Sequence, residues 1–254
     1  RTSTTITKST EKGRRQLPAI LKPSAKDREI VAPSAADSET FKLFLKQPHT
    51  GLIRLLSDRG CQERAIIVVA DEFCTKYGNL FGASSYSFRT RNYTLGRFAD
   101  VVYKDGTLYT TGKMTLGFIV DLGTDVEISN VSASTPGAGF VFDYKRPTDL
   151  KSIESDVEDF LKPLRKDGFA YSRYQHLENG HTYLLRSVAY RKKAQTQDNV
   201  VVFDDLTEDL RRDVIIAFKV VRIGAPDASE VTILWKELRR ESVPKIDVGT
   251  TTQQ

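Results

Sequence analysis

The chain has 254 residues, of which 39% are hydrophobic and 28% charged, as in a globular protein that can bury a sizeable core. No apolar run approaches the roughly 20 residues that a membrane-spanning helix needs, so the sequence predicts no membrane span. Lys and Arg outnumber Asp and Glu by 38 to 33, and this net charge of +5 is too weak to indicate a nucleic-acid-binding protein.

The first 38 residues are rich in Thr, Ser, Lys and Pro, so residues 1–38 are predicted to form an extended tail and linker. From Arg1 to Arg28 there are eight basic and two acidic residues, so the positive charge belongs to this tail. Its first ten residues are rich in β-branched side chains, which suits a strand added to a sheet edge. We predict that the tail docks on a partner subunit or another copy; the alternative is an unstructured leader. The residues assigned to docking are Thr4, Ile6, Lys8, Arg14 and Arg15.

The next forty residues are predicted to hold the first core elements. The apolar residues of Ser38–Lys46 fit both a short helix and a strand, so this segment stays open between the two. Gly51–Leu56 and Arg64–Ala70 are predicted strands, and the second has β-branched residues on both faces, as in a strand buried on both sides. Asp71–Tyr77 is predicted to form a short helical turn.

The middle of the chain has a strand pattern throughout. Asp105-Gly106 lies between two apolar segments and predicts a hairpin, because a type I′ turn needs positive φ at both central residues. The predicted strands are Ser84–Tyr93, Phe98–Tyr103, Leu108–Thr111, Leu116–Leu122, Val126–Val131 and Phe140–Tyr144.

The clearest predicted helix begins with Thr148 as its N-cap and ends at Pro163. One face of this helix carries the apolar residues Leu150, Ile153, Val157, Phe160 and Leu161. A short helix is also predicted for Leu206–Arg212. The remaining strands are predicted at Phe169–Tyr174, Thr182–Tyr190, Val200–Phe203, Val214–Arg222 and Val231–Leu238.

Many short strands with few helices predict a mainly β fold, a sandwich or barrel-like arrangement of antiparallel sheets with one clear amphipathic helix. We assign residues 39–240 to a single globular domain and residues 241–254 to a C-terminal tail.

The two cysteines, Cys61 and Cys74, are 13 positions apart. In an exported protein such a pair can form a disulfide, whereas in a reducing cytosol both would be free thiols; both alternatives stay open. A zinc site is not predicted, because a tetrahedral site needs three or four nitrogen or sulfur ligands and the chain has no other cysteine.

The three histidines do not indicate a metal or catalytic site. His176 and His181 flank a predicted turn at Asn179-Gly180, and His49 is far upstream, so we interpret them as solvated loop residues. No serine lies in a nucleophile elbow. The sequence therefore predicts no catalytic residue, no cofactor and no metal, and a hydrolase with dispersed residues is the least favoured hypothesis.

One strand pattern suggests a binding surface. In Tyr86–Tyr93 the alternation places Arg89, Arg91 and Tyr93 on one face, where they could stack on and pair with an anionic polymer such as a glycan or nucleic acid. The alternative is an ordinary strand with an aromatic core face and an arginine-lined solvent face.

Several motifs together resemble a set of uncharacterised exported bacterial proteins. The motifs are the segments at residues 44–51 (FLKQPHTG), 86–88 (YSF), 184–190 (LLRSVAY), 216–222 (IAFKVVR) and 231–236 (VTILWK). The resemblance spans about residues 41–240. It implies a bacterial source and an export route, and it implies no activity.

The sequence thus favours a non-enzymatic structural or interaction protein in the periplasm, on the cell surface or in the extracellular space. Its expected partner is a protein subunit or another copy, reached through the tail. The alternative hypothesis is a binding module for an anionic polymer, with a cell-surface glycan expected before nucleic acid.

Overall fold

The computed structural model describes residues 23–61, 72–192, 196–197, 200–201, 210–224 and 229–246. The tail residues Thr4, Ile6, Lys8, Arg14 and Arg15 lie outside these ranges. So do the strand predicted for residues 64–70 and most of the helix predicted for residues 206–212. None of the helices in the described ranges is long and apolar enough to cross a membrane.

The described strands are short in the first half of the chain and long in the second. They are β1 (Thr50–Leu56), β2 (Ser85–Ser87), β3 (Asn92–Tyr93), β4 (Val101–Lys104), β5 (Thr107–Thr110), β6 (Thr115–Gly123), β7 (Leu164–Lys166), β8 (Phe169–Ser172), β9 (Tyr174–His176), β10 (Thr182–Ala189), β11 (Arg191–Lys192), β12 (Thr196–Gln197), β13 (Val200–Val201), β14 (Asp213–Ile223), β15 (Glu230–Glu241) and β16 (Lys245–Ile246).

The strands form two main sheets, which confirms the predicted mainly β fold. A seven-stranded sheet has the order β1-β15-β14-β10-β6-β8-β7, and a five-stranded sheet has the order β3-β2-β4-β5-β9. Every neighbouring pair in both sheets is antiparallel. Two separate short pairs, β11 with β16 and β12 with β13, complete the described pairing.

The described helices are all short. The α-helices are α1 (Ala25–Ile30), α2 (Ala35–Thr40), α3 (Lys42–Leu45), α4 (Glu72–Lys76), α5 (Gly139–Asp143) and α6 (Leu150–Asp159). Single 3-10 turns or pairs of turns lie at Gly78–Ala83, Gly96–Phe98 and Ile128–Asn130. The segment that fitted both a helix and a strand, Ser38–Lys46, is therefore helical.

The seven-stranded sheet is covered on both faces. One of its faces packs on the five-stranded sheet, where residues such as Leu185, Phe218 and Trp235 meet the aromatic residues of β2 and β3. The opposite face packs under the helices, where Leu184 and Phe118 meet α5 and α6. This double burial explains why all eight residues of β10 are buried.

The hairpin predicted at Asp105-Gly106 is confirmed. It joins β4 to β5, and Asp105 and Gly106 have φ values of +48° and +77°, as a type I′ turn requires. Ser57 fixes the turn from outside, because its hydroxyl donates to Asp105 Oδ1 at 2.9 Å and accepts from Asp105 N at 3.0 Å.

Two segments predicted as strands are helical instead. Phe140–Tyr144 lies largely in α5, and Val126–Val131 contains the 3-10 turn Ile128–Asn130. In α5 the helical spacing brings Phe140 and Tyr144 together over Phe118, with ring centroids 5.7 and 5.1 Å from that ring. In a strand, Phe140 and Tyr144 would also point to one face, but they would be too far apart along the strand to pack on the same ring. Their shared packing on Phe118 therefore favours the helix.

The helix predicted from Thr148 is α6, with a different start and end. Asp149 rather than Thr148 is its N-cap, because the Asp149 side chain accepts a hydrogen bond from Ser152 N. Leu161 lies beyond the end of α6 and is 53% exposed, so it is not part of the buried face.

The ends of the described chain are more ordered than the predicted tails. α1 begins with a capping box between Ser24 and Asp27, and Val31 directly after it is buried in the core between the sheets. Near the other end, β16 pairs with β11 and buries Ile246. Residues 25–30 and 35–38 are thus helical rather than extended, and residues 245–246 form a paired strand within the segment predicted as a C-terminal tail.

Candidate functional site

The predicted strand Ser84–Tyr93 is broken in the middle. β2 and β3 are joined by a turn at residues 88–91, in which Arg91 takes a left-handed φ of +54°. The turn is held by Asp100, which accepts from Arg89 N at 3.2 Å. Because the turn ends the alternation, Arg89, Arg91 and Tyr93 do not share one solvent face.

Arg89 lies inside the fold. Its guanidinium forms a 2.7 Å ion pair with Asp100, and both side chains are fully buried. The same guanidinium donates to the carbonyl oxygens of Phe98 at 2.7 Å and Leu210 at 3.2 Å. Arg89 is therefore a structural cation in this fold rather than part of a polymer-binding surface.

Asp100 connects the two sheets. It precedes β4 in the five-stranded sheet, yet it accepts a 2.5 Å hydrogen bond from the hydroxyl of Ser187 in β10 of the seven-stranded sheet. The hydroxyl of Ser87 in β2 donates to its other oxygen at 3.2 Å. A buried carboxylate needs such a full set of donors, so this network fixes how β2, β4 and β10 meet.

Tyr93 is also buried. Its hydroxyl donates to the carbonyl oxygen of Arg54 in β1 at 2.8 Å, and its ring packs edge-on against Tyr86. Burial raises the pKa of the Tyr93 phenol above its ordinary value. Tyr93 thus joins the edge of the five-stranded sheet to the edge of the seven-stranded one.

Arg91 is the exposed member of the predicted trio. Its Nη2 donates to His49 Nδ1 at 2.6 Å, and its guanidinium lies 6.0 Å from the centre of the Trp235 ring. The side chains of Arg91 and His49 are 44% and 58% exposed. Because a guanidinium can only donate, His49 Nδ1 must accept, and the proton of the neutral ring lies on Nε2.

A buried carboxylate lies behind this pair. Glu237 accepts from Arg240 Nε at 2.9 Å, and its carboxylate also lies 3.9 Å from Arg91 Nη2 and 3.8 Å from His49 Nδ1. The hydrogen bond to Glu237 raises the pKa of the Arg240 guanidinium. One carboxylate therefore faces two guanidinium groups. We call this set, His49, Arg91, Trp235, Glu237 and Arg240, the Arg91 cluster; it carries an excess positive charge.

Two features of the backbone shape the Arg91 cluster. His49 and Arg91 both take left-handed φ values, +62° and +54°, which cost about 1–2 kcal/mol each for residues with a Cβ. Gly51 lies opposite Trp235 in the sheet, and a Cβ there would come within 2.5 Å of the indole. The indole can rest against β1 only because residue 51 is glycine.

A second buried ion pair lies on the helix-covered face. Arg186 in β10 makes two hydrogen bonds to Asp213, at 3.1 and 2.8 Å, and also donates to the carbonyl oxygens of Val141 and Tyr144. Burial alone would raise the pKa of Asp213, but the hydrogen bonds and charges of Arg186 and Arg146 outweigh it and hold the pKa below its ordinary value. This pair attaches α5 to the sheet.

Of the two alternatives left open for Cys61 and Cys74, the structure has the disulfide, with a Cα–Cα distance of 5.3 Å. Because the chain has only these two cysteines, no thiol is free to act as a nucleophile. In the described part of the chain, no serine hydroxyl hydrogen-bonds to a histidine ring. The residues that a cysteine or serine hydrolase would need are not brought together here.

The two histidines of the predicted turn have different surroundings. His176 is exposed in β9 and has a weak contact of 3.5 Å with the hydroxyl of Thr107. His181 instead lies between two carboxylates, with Nδ1 2.9 Å from Asp121 and Nε2 3.3 Å from Glu178. The sequence did not indicate this trio, because Asp121 is 60 residues away from His181.

A groove of about 540 Å³ lies beside α5. It is lined by Phe140 and Tyr144 together with two lysines and two aspartates, Lys145, Lys166, Asp143 and Asp167. The opposite charges balance, so the groove does not favour either an anion or a cation.

The fold and these clusters define a disulfide-bonded protein of two antiparallel sheets, with short helices over one face and buried ion pairs that connect its layers. In comparisons with family models, curated proteins and solved structures, none matches this chain.

Proposed function

We propose that the protein is a non-enzymatic interaction protein that acts outside the cytoplasm and docks through its basic N-terminal tail on a partner subunit or another copy. The observation that carries this proposal is the division of charge. Residues 1–22 contain six basic residues and one acidic residue, and the remaining chain contains 32 of each kind. The whole formal net charge therefore belongs to a segment that precedes the first described helix.

The disulfide supports a site of action outside the cytoplasm. Disulfides persist in oxidising compartments such as the periplasm and the extracellular space, and they are rare in the cytosol. The Cys61–Cys74 bond agrees with the export route that the resemblance to exported bacterial proteins implies.

The use of the ionisable groups supports a role without catalysis. Arg89, Asp100, Arg186 and Asp213 are buried and bonded to one another or to backbone carbonyls. Such groups hold layers of the fold together and are not free to exchange protons with a substrate. Both cysteines are likewise bonded, since they form a disulfide with each other.

Light scattering tests the proposed docking on another copy. We expect the full chain to form a larger assembly than the chain lacking residues 1–22, and we expect about 1 M salt to weaken it, because screening is then almost complete. A matched control keeps the tail length and changes Lys8, Lys12, Arg14 and Arg15 to Gln. If all three proteins have the same number of chains per particle in low salt, the proposal of self-docking through the tail is wrong.

The Arg91 cluster favours a second candidate function, the binding of an anionic polymer. Arg91 and His49 are exposed, touch each other and share one buried carboxylate with Arg240, so the surface keeps positive charge there, and the Trp235 ring beneath Arg91 is buried. An exposed guanidinium suits sulfate, phosphate or carboxylate groups of a polymer. Arg89 and Tyr93 do not contribute to this surface because they are buried.

Titration with heparin, a sulfated glycan, tests this second function. We expect Arg91→Gln to weaken binding and to lower the slope of log affinity against log salt by about one, as loss of one anion contact does. Arg165→Gln removes an exposed arginine from β7, at the far edge of the seven-stranded sheet, and is the matched control. Equal weakening by both substitutions would mean that the polymer does not select the Arg91 cluster.

A further inference from the structure

His181 is held between two carboxylates at one end of the seven-stranded sheet. An oxygen of Asp121, an oxygen of Glu178 and a ring nitrogen of His181 lie within 4.8 Å of one another. Nδ1 is 2.9 Å from Asp121, and Nε2 is 3.3 Å from Glu178. The imidazole therefore presents a different nitrogen to each carboxylate.

A neutral imidazole can satisfy only one of these two contacts. If Nδ1 carries the proton and donates to Asp121, Nε2 presents a lone pair to the lone pairs of Glu178. Two lone pairs 3.3 Å apart repel unless a cation lies between them. A protonated imidazole could donate to both carboxylates, but a charge-assisted hydrogen bond from Nε2 to the Glu178 oxygen would normally be about 2.7–2.9 Å long. Two ligands bound about 2.0–2.2 Å from one metal ion are about 3.0–3.5 Å apart, which agrees with the observed separation.

The Asp121 contact is of the kind that orients a metal-binding histidine. A ligating histidine almost always donates its other ring N–H to a carboxylate or carbonyl, which fixes the tautomer and the ring plane. Asp121 is itself held, because its other oxygen accepts from Gly123 N at 2.8 Å. The ring of His181 also stacks near Tyr183, with centroids 6.2 Å apart.

The backbone around the trio is fixed as well. The register of β6 and β10 shifts between Thr182 and Tyr183, so that Leu122 is an extra residue in β6. Such bulges re-aim neighbouring side chains and are frequent beside functional sites. The turn before His181 is held by Gly180 N, which donates to Val220 O at 2.9 Å. Asp121 therefore projects from β6, and Glu178 and His181 project from the held turn between β9 and β10, as a preformed site requires.

We propose that His181 Nε2 and Glu178 bind a divalent transition-metal ion such as Zn²⁺, with Asp121 as the carboxylate that orients the histidine. Imidazole suits Zn²⁺, Co²⁺ and Ni²⁺ better than the oxygen-seeking Ca²⁺ and Mg²⁺. Glu178 is 62% exposed, so an ion can reach the site from solvent, and water completes its coordination.

Calorimetric titration of the full chain with Zn²⁺ tests the proposal. We expect one site per chain. His181→Gln is expected to abolish binding, Glu178→Ala to weaken it at least tenfold, and Asp121→Asn to weaken it about 10- to 100-fold. The matched control is His176→Gln, which removes an exposed histidine on β9, five residues before His181, and should leave the affinity unchanged. Glu178 is exposed, so its substitution keeps the test meaningful if His181→Gln fails to fold.

Nuclear magnetic resonance gives an independent readout, because the chain has only three histidines whose ring signals can be assigned with the single variants. Paramagnetic Co²⁺ should shift the ring signals of His181 most strongly, more than those of His176 or His49. The proposal is overturned if Zn²⁺ gives no binding heat above that of the buffer. It is also overturned if His176→Gln weakens binding as much as His181→Gln does, or if Co²⁺ affects all three histidines alike.

Discussion

Arg89 and Arg91 are two residues apart in one turn, yet they lie in opposite environments. Arg89 is fully buried and pairs with Asp100, whereas the side chain of Arg91 is 44% exposed and meets His49 above Trp235. Residue type and spacing therefore did not assign the roles of these two arginines. The turn between β2 and β3 did, because it sends one guanidinium between the sheets and leaves the other at the surface.

The two environments differ in what a lost contact costs. Removing one partner of a buried ion pair typically costs about 3–5 kcal/mol, because the other charge is left in a medium that cannot solvate it. An exposed pair contributes about 0–1 kcal/mol, since water and salt replace it. The buried network should therefore control stability, and the Arg91 cluster should be open to change and available for binding.

The largest effect is expected for Asp100→Ala, which leaves Arg89 buried without its carboxylate and removes the acceptor of Ser187. The free energy of unfolding should fall by about 3–5 kcal/mol, measured by urea denaturation. Asp143→Ala removes an exposed aspartate and is the control, with an expected change below about 0.5 kcal/mol. Similar losses in both variants would show that the buried network does not hold the sheets together.

A smaller loss is expected when the disulfide is removed. Changing both Cys61 and Cys74 to Ser should lower the free energy of unfolding by about 3 kcal/mol, because the bond closes a loop across a separation of 13 residues. Adding reductant to the wild type should reproduce the loss. A wild type whose stability is insensitive to reductant would mean that the covalent bond does not stabilise the fold.

Gly51→Ala should disturb the support of the Arg91 cluster. The new Cβ would lie within 2.5 Å of the Trp235 indole, so the ring must shift, at a cost of about 1–3 kcal/mol. Gly78→Ala is the matched control, because a Cβ at residue 78 meets nothing within 4 Å. Both are measured by thermal unfolding. If Gly51→Ala is as stable as Gly78→Ala, the indole does not depend on residue 51.

The smallest effect is expected for Arg146→Gln, where a cation with a 27% exposed side chain assists the buried pair of Arg186 and Asp213. The pKa of Asp213 is lower in the folded than in the unfolded state, so its stabilising contribution is complete above the unfolded-state pKa of about 3.9 and is lost as pH falls through the folded-state pKa. Without Arg146 the folded-state pKa should rise, and this acid loss should begin at a higher pH. At neutral pH the change should stay below about 1 kcal/mol. Unfolding curves between about pH 2 and 7 measure both effects, and unchanged acid behaviour would contradict the role of Arg146.

Local signals in the sequence predicted part of the fold. The Asp105-Gly106 turn was predictable because its chemistry is contained in two residues, and the pairing of Cys61 with Cys74 was one of two stated alternatives because the chain has no other cysteine. The β-rich class followed from short strands at regular spacing. Each of these inferences depends on neighbours in sequence.

The candidate sites depended on distant residues and were not predictable in the same way. Arg89 can be buried because it pairs with Asp100, and Asp100 in turn accepts a hydrogen bond from Ser187, which lies 98 positions after Arg89. His181 meets Asp121 only because β6 and β10 pair with a bulge. α5 looked like a strand because its aromatic residues carry strand propensity, which packing on Phe118 overrides.

The free energies of unfolding of Arg89→Met and Arg91→Met, measured side by side in urea, separate the two arginines most clearly. We expect a loss of about 3–5 kcal/mol for Arg89→Met, which leaves Asp100 buried without its guanidinium partner, and a loss below about 1 kcal/mol for Arg91→Met. Equal losses, or a larger loss for Arg91→Met, would contradict the claim that the turn divides a structural arginine from a surface one.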